Sequence, residues 1–286
     1  MSAAGSQAAA VSRPRPRPAA ARAHARRDGI VATEAFSRGD AITRDWMGWG
    51  ALRVLSRQHW APGITRDDGR VANMERLLLV LEGALEADCG ALGRHRLEAG
   101  DLLWISTGHG LPSRMSNGSA TAPLRLVECW LQPGRVNATP AVACRSAGGF
   151  DADGAWVALA AGDRGESGGG NDDDSGNHAG DAGGGNGVHI DTSDNGPLPL
   201  RQRARLMAVR IAAGAAIDVP ACRGGRCWLE VLDGGVAVSG HDNNDDDPRL
   251  ASGDGIAWTA GSSGAPSILT ATAAGTAWLL LFVLPA

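Results

Sequence analysis

The stretch "VLEGALEADCGALGRHRLEAGDLLWIS" (Val80–Ser106) returns downstream as "VLDGGVAVSGHDNNDDDPRLASGDGIAWT" (Val231–Thr259). In both, an apolar run closes on an acidic residue and a glycine, and a second short run follows. A loop then leads into Arg-Leu-x-x-Gly-Asp. Gly83 matches Gly234 and Gly100 matches Gly253, a period of about 150 residues. Periods of roughly 20–50 residues belong to solenoids, so this longer one means two copies of a whole domain. The Gly-Asp turns suit a backbone that reverses tightly, because glycine accepts positive φ at little cost.

Outward from the repeat, the chain reads as short β segments, among them Leu77–Leu81, "LLWIS" and "LRLVECWL" (Leu124–Leu131), with no long amphipathic helix. The expected fold is therefore all-β, two similar antiparallel barrels. The hydrophobic fraction of 43% is enough for packed cores. The first 28 residues, Ala-, Arg- and Pro-rich, are expected to be a disordered leader. The polar, glycine-rich run at 163–187 is expected to be a flexible insertion. Its aspartates and those of "HDNNDDD" lack the spacing of a calcium loop and are expected to be solvated. The expected division is thus leader 1–28, first barrel 29–141 and second barrel 142–286.

A net charge of −4 gives no electrostatic reason to bind nucleic acid or an anionic membrane, and no apolar run is long enough to cross a bilayer. The five cysteines, Cys89, Cys129, Cys144, Cys222 and Cys227, do not form a disulfide framework. They favour a reducing, cytoplasmic location. Cys222 and Cys227 are read as ordinary small or buried side chains rather than a redox or metal pair.

Several segments in order, "MGWGALRVL" (Met47–Leu55), "APG" (Ala61–Gly63), "MERLLLVLEGALE" (Met74–Glu86), "AGDLLWISTGHG" (Ala99–Gly110) and "CWLQP" (Cys129–Pro133), resemble the pirin family. The second half, from "RLMAVRIAAG" to "AWLLLFVLP", resembles the matching C-terminal domain of bacterial pirins. The resemblance covers about Gly29 to Ala286 without the glycine-rich insertion. It implies a bicupin, two double-stranded β-helix barrels, with one iron-type metal in the N-terminal barrel. It also implies a His3Glu ligand set, supplied by a His-x-His motif and a His-x-Glu motif.

Alternate strand residues face one way, so such pairs would send both side chains into the barrel. In this chain Gly63 and Met74-Glu75 anchor the first motif, and its histidine positions fall on Gly69 and Val71. Gly108-His109-Gly110 anchors the second, whose ligand positions fall on Ser113 and Met115. The resemblance thus leads to an N-terminal barrel with all four ligand positions substituted, no metal, no cofactor and no catalytic residue. Glu75, Trp104 and His109 are the remaining pocket candidates, beside a smaller and more apolar cavity near Val71 and Met115. In the second barrel the corresponding positions fall near Pro220 and Cys222, and near Pro266 and Ile268, again without ligands.

Two functions follow as expectations. The first is a non-catalytic protein that binds a small apolar molecule or a protein partner. The alternative, implied by the quercetin 2,3-dioxygenase activity of some pirins, is a metal-dependent oxidoreductase with its site relocated around His109.

Overall fold

The computed structural model describes residues 14–146, 154–162, 188–189, 196–220, 225–239, 248–259, 268–271 and 275–286. The expected insertion at 163–187 and the run 241–247 lie outside them. Among the described residues there is no α-helix, only two short 3-10 turns.

The strands form four sheets, a large and a small one for each half. In the first half the large sheet has eight strands, with Leu102–Ser106, Glu75–Glu82, Leu124–Leu131 and Leu52–Trp60 adjacent in that order. In the second half the large sheet has seven, and Gly255–Thr259, Arg226–Asp233, Ala277–Leu284 and Arg205–Ile211 lie in the corresponding order. The small sheets have four strands each. In the first half these are Thr65–Val71, Leu111–Asn117, Leu85–Asp88 and Arg94–Leu97.

The repeat extends to individual hydrogen bonds. The Gly100 amide donates to the Val80 carbonyl and the Gly253 amide to the Val231 carbonyl, each at 2.8 Å. Asp101 Oδ2 accepts the Glu98 amide at 2.9 Å, and Asp254 Oδ2 accepts that of Ala251 at 2.8 Å. Gly83 and Gly234 have φ of +81° and +72°. A Cβ would lie 2.6 Å from the Pro123 carbonyl oxygen at the first and 2.3 Å from that of Thr276 at the second. Only glycine fits both turns.

Alternation along the large sheets supplies three cores. Leu78, Val80, Leu103, Ile105, Leu126 and Met115 fill the interior of the first barrel. Leu229, Val231, Ile256, Trp258, Leu279 and Leu281 fill the second. The opposite faces meet in a third core, where Leu77, Leu79, Trp104 and Cys129 pack with Trp228, Ala257, Leu280 and Phe282. The large sheets are therefore buried on both faces, which is why their strands read as continuous apolar runs.

Two expectations about the chain's organisation are corrected. The leader is ordered from residue 14. Arg15–Arg17 pairs with Gly255–Thr259 of the second half, and Ala23–Arg27 pairs with Ile30–Glu34 of the first. Arginine makes this segment docking rather than solvated: Arg22 meets Glu230 through two 2.7 Å hydrogen bonds, both side chains wholly buried. The boundary at 141/142 is likewise crossed, because Ala141–Arg145 pairs with Leu102–Ser106 in the first sheet.

The cysteines need a correction too. Cys227 is disulfide-bonded, while Cys89, Cys129 and Cys144 are outside any disulfide. Cys222 lies outside the described residues, as does Pro266.

Candidate functional site

The strands 65–71 and 111–117 run antiparallel and bring the four positions onto one wall of the first barrel. Ser113 stands opposite Gly69, Leu111 opposite Val71, and Met115 opposite Arg66. The register shifts between Ser113 and Arg114, and Gly69 takes φ of +64°. This is a bulge, in which an extra residue enters one strand and re-aims its neighbours. Arg66 and Asp68, two residues apart, share the inward face, and the phase changes after them, so that Val71 rather than Arg70 is half-buried.

The space in front of this wall is charged. Arg76, from the strand 75–82 on the facing sheet, is wholly buried. Its Nη1 donates to Ser113 Oγ at 2.9 Å, and its Nη2 donates to Asp68 at 2.8 Å and to Glu128 at 2.6 Å. Arg66 donates to Asp68 Oδ1 at 2.6 Å and to Glu128 at 3.3 Å. Glu128 also accepts from Gln58 at 2.8 Å and from the Trp130 indole at 2.9 Å. Arg38 completes the shell from outside at 3.4 Å.

Burial would push the Glu128 carboxyl up, but Arg66, Arg76 and Arg38 outweigh it and hold it well below the usual carboxylate range. Burial would likewise lower Arg66 and Arg76, and Glu128 and Asp68 instead raise both. The group is an ion network with its partners matched, so each charge survives burial.

The expected apolar cavity near Val71 and Met115 is not what these residues form. Met115 is packed into the first barrel's apolar core, while Trp104 faces the core between the sheets. Of the three pocket candidates, Glu75 and Trp104 meet each other outside the barrel interior, and His109 stands apart. Glu75 is buried on the inter-sheet face, where it accepts the Trp104 indole at 3.0 Å and the amides of Arg201 and Gln202 at 2.7 and 2.9 Å. Burial pushes its carboxyl up, and these donors oppose that shift. Glu75 therefore joins the halves. His109 is exposed on its turn, with its amide on the Ala138 carbonyl at 2.9 Å.

Among the described residues no group of three or more His, Cys, Asp or Glu side chains has an arrangement suited to a metal ion. A groove of about 470 Å³ lies elsewhere, on the outer face of the small sheet between Arg94, Arg96, Arg114, Glu86 and Asp88. Its arginines are paired, Arg94 with Asp88 at 3.0 Å and Arg96 with Glu86 at 2.9 Å.

Arg66, Asp68, Arg76 and Glu128 were missed in the sequence because each looks like an ordinary polar residue near a strand. The available signal was charge inside the runs "MERLLLVLEG" and "LRLVECWL", which are otherwise apolar.

Comparison with known proteins agrees with the fold. Residues 191–284 match the family described as quercetinase C-terminal cupin domain. The bacterial pirin YhhW of Escherichia coli, solved in complex with nickel(II), superposes with a TM-score of 0.72 over 96% of this chain and 100% of its own, at 20% identity. The fold is a bicupin, like that of the bacterial pirin. A quercetin 2,3-dioxygenase of Escherichia coli is 29% identical over 119 residues, 42% of this chain and 52% of the relative. A Pseudomonas aeruginosa protein, named only provisionally as a quercetin 2,3-dioxygenase, is 25% identical over 217 residues, 76% of this chain and 81% of its own. No helix among the described residues is long and apolar enough to cross a membrane.

Proposed function

We propose that this pirin-like bicupin has lost the metal site of its N-terminal barrel and works without catalysis, as a small-molecule-binding or protein-interaction protein. The observation that supports this is the donor chemistry at the four aligned positions. Glycine has no side chain and valine's is a hydrocarbon, so neither offers a donor atom. The Ser113 hydroxyl is engaged by Arg76, and the Met115 thioether is enclosed by apolar neighbours. A hard or borderline divalent ion takes imidazole or carboxylate ligands, and these residues do not fit it.

The test is anaerobic loading with Fe(II), followed by desalting, metal analysis and oxygen uptake with quercetin. We expect no retained iron and no uptake above buffer; stoichiometric metal in the N-terminal barrel overturns the proposal. A partner captured by the protein should be retained equally with oxidised and reduced iron present, and a redox-dependent yield argues against it.

A second reading, quercetin 2,3-dioxygenase activity, is favoured by the names of the relatives. It would require a relocated site, and His109 is the residue to change. Turnover that His109→Ala abolishes would establish that reading. A cytoplasmic location belongs to the first proposal through the reduced thiols of Cys89 and Cys129; the disulfide at Cys227 points the other way.

A further inference from the structure

The chain contains no lysine, so every permanently charged side-chain cation is a guanidinium. Most lie toward solvent or at the rim, but Arg76 is wholly buried inside the first barrel. It reaches Ser113, one of the four positions aligned with metal ligands, and Asp68, which adjoins another of them, Gly69. We infer that Arg76 is the resident cation of the N-terminal barrel, with Asp68, Glu128 and the Ser113 hydroxyl forming the cation site that its guanidinium fills and keeps closed to metal. This rests on the proposed loss of the ligand set and adds what took its place.

Three features carry the inference. The acceptors are distributed to suit a planar fork: Nη1 serves the hydroxyl, while Nη2 serves one oxygen of each carboxylate. Arg66 donates to Asp68 Oδ1 at 2.6 Å and reaches Oδ2 only at 3.3 Å, while Arg76 takes Oδ2 at 2.8 Å. The Arg76 guanidinium also lies 5.1 Å from the centroid of the Trp130 ring, a cation–π distance. The surrounding charges are Arg38 and Arg66, together with Glu34, which Arg38 approaches at 3.9 Å. With Arg76 removed, Arg38 and Arg66 face Asp68, Glu128 and Glu34, so the vacated place is one positive charge short and lacks donors. A soluble cation of matching shape should refill it.

The experiment compares the full chain with Arg76→Ala and Arg76→Lys. Each is melted with and without low-millimolar guanidinium chloride, with sodium chloride at equal ionic strength as control, and each is assayed for nickel(II) after desalting. We expect Arg76→Ala to melt lower than the parent and to recover by roughly 5 °C, saturably, with guanidinium. The parent and Arg76→Lys should not respond, and the parent should retain no nickel.

Nickel bound by Arg76→Ala alone supports the cation site equally. A folded Arg76→Ala that responds to neither cation overturns the inference while leaving the proposed function standing. Nickel bound stoichiometrically by the parent overturns both. Should Arg76→Ala be insoluble, Arg76→Lys decides. If it folds without added cation, the inference stands; if both variants stay insoluble even when guanidinium is present during refolding, no cation refills the place and the inference fails.

Discussion

Glu128 shows how a single side chain sets the character of the first barrel. It has no solvent exposure and is surrounded by three arginines. Its ionised form is favoured in the fold, so the linkage has a definite sign. The folded carboxyl titrates well below its unfolded value of about 4.3. The stability it contributes is therefore fully present above that value and is lost as pH falls through the folded one. Glu128→Gln should cost about 3 kcal/mol at neutral pH, because it leaves buried arginines short of a partner. It should also flatten the loss of stability below about pH 4. Urea midpoints at pH 7 and pH 3 check both effects, and an unchanged acid slope would mean that other carboxylates control it. The thiols follow from burial in the same way. Burial pushes Cys89 to about 12 and Cys144 to about 11, so both should resist a thiol reagent at pH 8 until the protein is denatured.

At the scale of the element, the repeated turn and the bulge place glycine under different demands. Gly83 and Gly234 combine positive φ with a carbonyl oxygen directly in the path of a Cβ. Gly69 has positive φ but nothing within 4 Å of its would-be Cβ. Gly69→Ala should thus cost only the left-handed strain, about 1 kcal/mol. Gly234→Ala should cost more, roughly 3 kcal/mol, because backbone must also shift. Equilibrium denaturation of the two variants checks the order, and equal losses would show that the Thr276 carbonyl yields freely. The repeat was legible at this scale because a turn that admits only glycine leaves a fixed letter in the sequence. The bulge was not, because Gly69 looks the same whether it continues a strand or breaks its register. Inward-facing Arg66 and Asp68 could be seen only once the pairing with 111–117 was known.

Across the whole molecule, each half holds a buried carboxylate of the other against the shared core. Glu75 takes the amides of Arg201 and Gln202 along with the Trp104 indole. Glu230 takes both arms of Arg22 along with the Trp228 indole at 3.1 Å. Arg22→Ala should cost about 3–5 kcal/mol, since it strands a buried carboxylate. Removing residues 1–22 should cost at least as much, because it also opens the edge of the strand 255–259. Thermal melts of both variants check this, and a truncated chain as stable as the parent would mean that the leader only rests on the surface.

The sequence by itself determined that there are two barrels, the order of their strands and the turns between them. Local backbone demands and strand periodicity are written directly into residue type. The family resemblance read from the sequence placed Gly69, Val71, Ser113 and Met115 at the four ligand positions. The tertiary structure alone decided what faces those positions, that the leader docks on the second half, and that Glu75 belongs to a joint rather than a pocket. Each of these depends on partners far apart in the chain, and no local preference of an arginine or a glutamate says which distant charge it will meet.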